Sequence, residues 1–318
     1  MCGVCQRISP AEHWRTDADE PSKRCLTRYW FAAVRVAHGQ IPVPASNIRR
    51  LTEQRLPDRP PEGMKRIRMT IAYDGAPFHG FARNRGVATI SGTLEAALSE
   101  ILRHPIDLAC AGRTDRGVHA RGQVVSFDAD ETRADPARLA RALNKMCGPA
   151  IAVRAAAAVG DDFDARLSCI GRAYRYRILN SEVPDPLLAP ITWHVEQPLD
   201  LAAMRNASDQ LMGTHDFSSF CRRNQSRPHE SFVRRINVAR WRREGDALRF
   251  DIEANAFCHQ MVRSLVGTLV DMGRGRRRAA DMGPILDALD RAAAASPAPP
   301  HGLVLWAARY RDTPSNPG

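Results

Sequence analysis

The stretch Ile106-DLACAGRTDRGVHARGQVVS-Phe127 contains two apolar runs separated by a charged loop. The runs at residues 106–111 and 122–127 predict two β-strands, because each is short, apolar and bounded by turn-forming residues. Glycines in the loop permit positive φ angles and let a ligand approach the backbone closely. A charged loop held between two strands is a typical location for a functional site.

Asp115 is the carboxylate of this loop, with Arg113 two residues before it and Arg116 directly after it. Two neighbouring guanidinium groups are expected to lower the pKa of Asp115, so that the carboxylate stays ionised and available as a nucleophile. The alternative is a structural role, because Gly-x-x-Asp-x-Gly is also good turn chemistry, in which Asp115 bonds nearby backbone amides. This stretch alone leaves both interpretations open.

Strands and helices alternate on both sides of the loop. The predicted strands lie at residues 67–73, 106–111, 122–127, 151–156, 173–179 and 303–307, with a hairpin formed by 233–241 and 248–254. The predicted helices cover residues 94–102 with Ser91 or Thr93 as cap, 136–143 after Asp135-Pro136, 201–212 and 257–272. This order predicts an α+β fold, in which two similar α/β subdomains share a mixed, mostly antiparallel sheet with helices on one face and a catalytic cleft between the subdomains.

Three regions are expected along the chain. Residues 1–63 are rich in proline, have little sustained periodicity and predict a weakly structured extension. Residues 64–168 form the expected N-terminal catalytic subdomain with the Asp115 loop. Residues 169–318 form the expected C-terminal subdomain, which contains the strand at 173–179 and most of the basic clusters.

The chain is strongly basic, with a net charge of +11 and an isoelectric point near 9.8 over 318 residues. This excess favours a polyanionic partner, and nucleic acid is the first candidate. The strongest basic cluster consists of Arg222, Arg223, Arg227, Arg234, Arg235, Arg240, Arg242 and Arg243. A second, separate basic run consists of Arg274, Arg276, Arg277 and Arg278. Such a surface would bind phosphates without reading sequence.

The eight cysteines predict free thiols in a cytoplasmic protein rather than a disulfide framework. Cys2-Gly-Val-Cys5 is half of a zinc pattern, but His13 and Cys25 complete no common zinc-finger spacing, so no metal is expected. No run is apolar and long enough for a membrane span, and no secretory signal is recognised, so no membrane partner is expected.

The segment Arg172-Ala-Tyr-Arg-Tyr-Arg-Ile-Leu179 places Tyr174 and Tyr176 on one strand face and Arg175 and Arg177 on the other. An aromatic face beside cationic groups suits a protein that stacks a base and holds its phosphates. Ordinary cross-strand packing of the tyrosines is the alternative.

In the predicted helix 257–272, His259 and Arg263 lie four residues apart and would share one side. Arg263 is therefore a candidate for pointing into the cleft. The neighbouring Phe257 and Met261 are expected in the core.

From residue 67 to residue 310 the chain resembles the bacterial tRNA pseudouridine synthase A family, TruA. The most specific motif is Ala111-Gly-Arg-Thr-Asp-Arg-Gly-Val-His119 followed by Gly122-Gln-Val-Val. Further matches are Tyr73-Asp-Gly75, Phe78, Gly80-Phe81, Asp162-Phe163, Ala165-Arg166, Tyr174-Arg-Tyr176, His215-Asp-Phe217, Ser219-Phe220, Ala254-Asn-Ala-Phe257, His259, Met261-Val-Arg263 and Gly302-Leu303.

The resemblance implies a cofactor-free isomerase that converts uridine to pseudouridine at positions 38, 39 and 40 of the tRNA anticodon stem-loop. It implies that Asp115 is the catalytic nucleophile, and that Arg113 pairs with it and helps to hold the flipped nucleotide. Tyr174 would stack on the uracil, and a homodimer would bind tRNA across both subunits. The basic residues Arg116 and Arg263 and the motif residue His119 are expected as further substrate contacts, with Arg116 on a phosphate.

Two other functions compete with this one. A non-catalytic tRNA-binding or RNA-folding protein would use the same basic scaffold, but would not need Asp115, Arg113 and Tyr174 together. An aspartate-nucleophile hydrolase of small substrates would leave the basic surface unexplained, and no second carboxylate stands out as its acid–base partner. The chain also departs from the family pattern at Ala82, where glutamine is common, and at Asp164, where histidine is usual. Both departures bear on fine substrate contacts.

Overall fold

The computed structural model describes residues 56–223 and 229–311. Most of the expected extension at residues 1–63 therefore lies outside the described residues, as do Arg227 and the half zinc pattern of Cys2, Cys5, His13 and Cys25. Residues 56–63 contain turns and bends before the first strand begins. All of the described residues belong to a single unit.

The described residues form one ten-stranded sheet. Its strands are Met64–Tyr73 (β1), Ala109–Cys110 (β2), His119–Asp130 (β3), Ile151–Ala158 (β4), Gly171–Leu179 (β5), Trp193–His194 (β6), Gly213–Asp216 (β7), Val233–Glu244 (β8), Ala247–Ala254 (β9) and Leu303–Arg309 (β10). The order across the sheet is β4-β1-β3-β10-β5-β9-β8-β7, with β2 paired to β3 and β6 to β5. Neighbouring strands are antiparallel except for the parallel pairs β10/β3 and β5/β6. The predicted α+β class with a mixed, mostly antiparallel sheet is confirmed.

Five α-helices accompany the sheet in the described residues. They are Ile90–Leu102 (α1), Pro136–Cys147 (α2), Leu201–Asp209 (α3), Met261–Gly273 (α4) and Met282–Asp287 (α5). Short 3₁₀ segments lie at Ser218–Phe220, Ala279–Asp281, Arg291–Ala293 and Pro300–Gly302. Asp135 caps α2 by accepting hydrogen bonds from the amides of the first turn, with Pro136 at the first helical position, as predicted. The cap of α1 is Thr89 rather than Ser91 or Thr93, because its hydroxyl accepts from the Gly92 amide.

The main hydrophobic core lies between the sheet and the helices. Leu94 and Leu98 of α1, Leu139 of α2 and Leu265 of α4 all belong to this one cluster. A smaller cluster covers the opposite face of the sheet, and it consists of Ala111, Val124, Ala165, Cys169, Ala308 and Tyr310 with Phe163 packed against them. The two faces of the sheet are therefore covered differently, with helices on one side and a loop segment on part of the other.

Several element boundaries differ from the sequence prediction. The predicted strand 106–111 is ordered as a strand only over the two residues of β2, because only these pair with β3. The predicted helix 201–212 ends at Asp209, since the chain turns and starts β7 at Gly213. The predicted helix 257–272 begins at Met261, because Gln260 has a left-handed backbone with φ 65°. Phe257 and His259 consequently precede the helix.

The cysteine prediction is wrong for one pair. The structure joins Cys221, directly after the first 3₁₀ segment, to Cys258, three residues before α4, in a disulfide with their Cα atoms 5.7 Å apart. Cys110, Cys147 and Cys169 are free thiols. None of the helices within 56–223 and 229–311 combines the length and apolar character needed to cross a membrane.

Candidate active site

The carboxylate of Asp115 is held by two side chains from the second half of the chain. Nη1 of Arg263 donates to Oδ2 at 3.0 Å, and Nε2 of His259 lies 3.3 Å from Oδ1. Arg263 is itself anchored, since its Nε donates to the carbonyl oxygen of Ala298 at 2.8 Å. The loop and the start of α4 therefore meet at the two oxygens of one carboxylate.

The electrostatics of this contact keep Asp115 ionised. Burial alone would raise the pKa of Asp115, because a charged carboxylate loses solvation. The hydrogen bonds and electrostatic attraction from His259 and Arg263 outweigh that effect, and the pKa of Asp115 lies below its ordinary value of 3.8. The Asp115 side chain keeps 26% of its surface exposed, so the ionised carboxylate remains reachable from the cleft.

The loop that carries Asp115 is fixed to the scaffold at several residues. The carbonyl oxygen of Ala111 accepts from Arg172, and that of Gly112 accepts from Nε2 of Gln123 at 2.6 Å. The hydroxyl of Thr114 is 2.8 Å from that of Tyr73. An anchored loop holds a nucleophile in place before the substrate arrives, which lowers the entropic cost of reaction.

Two glycines let a neighbouring segment approach this loop closely. A Cβ atom at Gly75 would lie 2.1 Å from the carbonyl oxygen of Val118, and one at Gly80 would lie 3.1 Å from that of Thr114. Gly80 also has φ +93°, which L-amino acids with a side chain rarely adopt. The amide of Phe81 then donates to the Thr114 carbonyl at 3.0 Å. The family matches at Gly75, Gly80 and Phe81 thus correspond to backbone packing against the Asp115 loop.

A cleft of about 560 Å³ opens beside Asp115. It is lined by residues 79–84 on one side, 114–116 at its base, and His259, Gln260, Arg263 and Pro300 on the other. Ala82 belongs to this lining, so this position presents no polar side chain to the cleft.

Tyr174 lies buried next to the loop rather than in the lining of the cleft. Its ring packs edge-on against Phe257, with centroids 5.1 Å apart and an interplanar angle of 88°. Burial raises the pKa of the Tyr174 hydroxyl, which moves its ionisation still further above neutral pH. Stacking of this ring on a uracil stays a prediction.

The other predicted site residues are placed as follows. Arg113 and Arg116 are exposed, and Arg116 lines the cleft. Among the described residues, the guanidinium bound to the Asp115 carboxylate is that of Arg263, and the pairing of Arg113 with Asp115 stays a prediction. His119 is buried, and its Nδ1 accepts a hydrogen bond from the Gly75 amide at 3.1 Å. The substrate contacts expected of Arg113, Arg116 and His119 stay predictions.

The sequence did not predict His259 as a partner of Asp115. Its spacing from Arg263 suggested a shared helix side, but His259 lies in the turn before α4, and the left-handed Gln260 separates the two. Both side chains nevertheless converge on Asp115. Helical periodicity could not have predicted this contact. The sequence feature that could have indicated His259 as a site residue is its position within the Ala254–Arg263 motif.

The strongest basic cluster is distributed over more than one face. Its exposed members are Arg222, Arg223, Arg235, Arg240, Arg242 and Arg243. Arg234 instead turns inward and donates to the carbonyl oxygens of Ser231 and Val233. In the second run, Arg276 and Arg278 pair with Asp271 and Asp281, respectively. These contacts leave the first cluster as the larger free cationic surface.

Asp164 has a local structural role. Its Oδ1 accepts from the amides of Arg166 and Leu167 at 2.7 and 2.9 Å, which is the geometry of a turn cap. The side chain is buried beside the smaller hydrophobic cluster and is not among the residues that line the cleft. The described residues contain no group of three metal-ligating side chains.

Comparison with known proteins identifies the family. A family model described as tRNA pseudouridine synthase matches residues 69–167 and 207–311. The chain belongs to this family of tRNA-modifying isomerases. The matched residues include the Asp115 loop and both of its partners, His259 and Arg263.

This chain covers nearly the whole length of the relatives that it matches. The tRNA pseudouridine synthase A of Halalkalibacterium halodurans is 46% identical over 243 residues, covering 76% of this chain and 91% of its own length. That of Dinoroseobacter shibae is 42% identical, covering 80% of this chain and 100% of its own. That of Myxococcus xanthus is 40% identical, covering 79% of this chain and 94% of its own length. A solved structure titled as a Cbf5-Nop10-Gar1 complex aligns with 64% of this chain and 44% of its own chain. Its TM-score of 0.29 and sequence identity of 14% are too low to bear on the fold.

Proposed function

We propose that this protein isomerises uridine to pseudouridine at positions 38, 39 and 40 of the tRNA anticodon stem-loop, with Asp115 as the nucleophile. The observation that carries the proposal is the ionised Asp115 carboxylate, held by Arg263 and His259 at the base of an open cleft. A nucleophile needs a deprotonated, oriented and reachable atom, and this carboxylate meets all three conditions.

The reaction requires no cofactor. The N1–C1′ glycosidic bond of uridine breaks, the uracil rotates, and C5 bonds to C1′ while a proton leaves C5 and N1 gains one. Substrate and product are isomers, so nothing else is consumed. The target nucleotide has to leave the base stack to reach Asp115, and it would enter the cleft between residues 79–84 and His259.

The other site residues receive roles within the same proposal. Tyr174 contacts the uracil ring, Arg113 holds the flipped nucleotide, and Arg116 contacts a phosphate. His119 contributes by holding the turn at Gly75 against the loop. The site would join two subdomains, residues 64–168 with Asp115 and residues 169–318 with Tyr174, His259 and Arg263.

We further propose that the protein is a homodimer that binds tRNA across both subunits. The basic surface and the family resemblance support this arrangement. Light scattering coupled to size-exclusion chromatography should give twice the 35.3 kDa mass of the chain. A particle of monomer mass that retains full activity would exclude the dimer as a requirement.

The choice of the modified tRNA position is tested with transcripts that carry a single uridine in the anticodon arm, at position 38, 39 or 40. A matched control transcript carries that uridine at position 36. Pseudouridine is mapped after incubation with the protein. Product at 38, 39 and 40 but not at 36 is expected. Binding of every transcript without product would favour a non-catalytic tRNA-binding protein.

A further inference from the structure

Arg172 lies in β5, two residues before Tyr174 and on the same face of the strand. Its neighbours across the sheet are Ala254 of β9 and Ala308 of β10. The side chain is half-buried, and it carries no role in the function proposed above. Its contacts nevertheless reach both the Asp115 loop and the segment that leads to His259 and Arg263.

The first of these segments is the loop that carries Asp115. Nε and Nη2 of Arg172 donate to the carbonyl oxygen of Ala111 at 3.0 and 2.6 Å. The amide of Ala111 donates to the carbonyl of Val124, which is the last backbone pairing between β2 and β3 before the loop. Arg172 therefore fixes the point from which the loop departs.

The second is the segment that leads to His259 and Arg263. Nη1 of Arg172 donates to the carbonyl oxygen of Asn255 at 2.9 Å. Asn255 is fixed on its other side, because its amide and Oδ1 both bond to the backbone of Arg235. Only three residues separate Asn255 from His259.

The remaining donors of Arg172 are also used within the protein. Nη1 donates to the carbonyl of Cys169 at 3.4 Å, and Nη2 to that of Arg166 at 3.3 Å. The five hydrogen bonds match the five N–H donors of a guanidinium. Arg172 thus differs from the exposed arginines, because it has no donor left for an RNA phosphate.

We propose that Arg172 is a positioning residue, which sets the spacing between the Asp115 loop and the segment that carries His259 and Arg263. This inference rests on the proposed function of Asp115 as the nucleophile. The planar fork of arginine is required, because a lysine ammonium keeps the charge but cannot bond two separate segments in fixed directions. Loss of the fork shifts Asp115 relative to its partners without removing any RNA contact.

The test compares Arg172→Lys with Arg66→Lys. Arg66 is a matched control, since it is buried and also makes five hydrogen bonds, to Asp128 and to the carbonyls of Pro57, Asp161 and Phe163, away from the cleft. Each variant is assayed for its single-turnover rate on tRNA, its dissociation constant for tRNA and its thermal midpoint. Arg172→Gln is measured alongside, so that a folded variant is available if the lysine variant fails to fold.

Arg172→Lys is expected to lower the single-turnover rate at least tenfold while the tRNA dissociation constant stays within about twofold. Arg66→Lys is expected to lower the thermal midpoint but to keep the rate of the folded protein. An unchanged rate in folded Arg172→Lys or Arg172→Gln overturns the proposal. So does an equal rate loss in Arg66→Lys, or a loss of tRNA affinity in place of rate. Asp115→Asn is run in parallel, and activity in that variant would contradict the proposed function instead.

Discussion

Asp115 and Arg263 are 148 residues apart in the chain, yet Nη1 of Arg263 lies 3.0 Å from Oδ2 of Asp115. Arg263 stands in the first turn of α4, where the helix end adds partial positive charge. His259 occupies the other carboxylate oxygen and is half exposed. Arg263 is therefore the more buried of the two partners of the Asp115 carboxylate.

Arg263→Gln is expected to shift the pH dependence of the reaction. The pKa of Asp115 is lowered in the folded protein, so activity is retained above that pKa and lost as the pH falls through it. Removal of the guanidinium raises the pKa of Asp115, and the acidic limb of kcat/KM moves to higher pH. The rate at neutral pH should also fall by roughly 10²-fold, because the carboxylate loses its anchor.

Arg278→Gln is the control for this shift, because Arg278 also pairs with a carboxylate, that of Asp281, but at the surface. Its pH–rate profile should match that of the unmodified protein. An unmoved acidic limb in Arg263→Gln would mean that Asp115 does not govern the profile.

Tyr174→Phe tests whether the ring or the hydroxyl of Tyr174 matters. The phenylalanine keeps the edge-on contact with Phe257, so the free energy of unfolding measured in urea should change by less than about 1 kcal/mol. Tyr174→Ala removes the ring and should lower the free energy of unfolding by roughly 3–5 kcal/mol. If the ring serves as a stacking platform, Tyr174→Phe keeps its single-turnover rate within about tenfold. A larger loss would indicate that the neutral hydroxyl takes part in proton transfer.

Gly75→Ala is expected to displace the catalytic loop. The new Cβ would lie 2.1 Å from the carbonyl oxygen of Val118, so the backbone has to move. A displacement near 1 Å lowers a rate by roughly 10²-fold. Gly283→Ala is the control, because its Cβ would meet only the Gln210 side chain at 3.6 Å. Equal rates in the two variants would show that the loop tolerates the shift.

Arg116→Ala is expected to weaken tRNA binding through the loss of one phosphate contact. Log K plotted against log salt concentration should become shallower by about 0.7–0.9, since one fewer counterion is released. Arg116→Lys keeps the charge and should restore the slope. If the alanine variant keeps the full slope, Arg116 does not contact a phosphate.

Local sequence patterns predicted the parts of the molecule that depend on local interactions. The Asp115 loop, the hairpin of β8 and β9, and the Asp135 cap of α2 all follow from neighbouring residues. The position of β10 between β3 and β5 does not, because it depends on pairing between distant strands. Arg172 bonds partners 61 and 83 residues away, which no local period indicates. The contact of His259 with Asp115 was not predicted for a related reason, because the left-handed backbone of Gln260 places His259 outside the helix.

Single-turnover pseudouridine formation by Asp115→Asn, with tRNA binding measured on the same sample, tests the central claim most directly. The substitution keeps the shape of the side chain but removes the ionised oxygen. No product above background is expected, with a tRNA dissociation constant within about twofold of the unmodified protein. Asp107→Asn, an exposed aspartate eight residues earlier, should keep the full rate. Product formation by Asp115→Asn at the rate of the unmodified protein would contradict the assignment of Asp115 as the nucleophile.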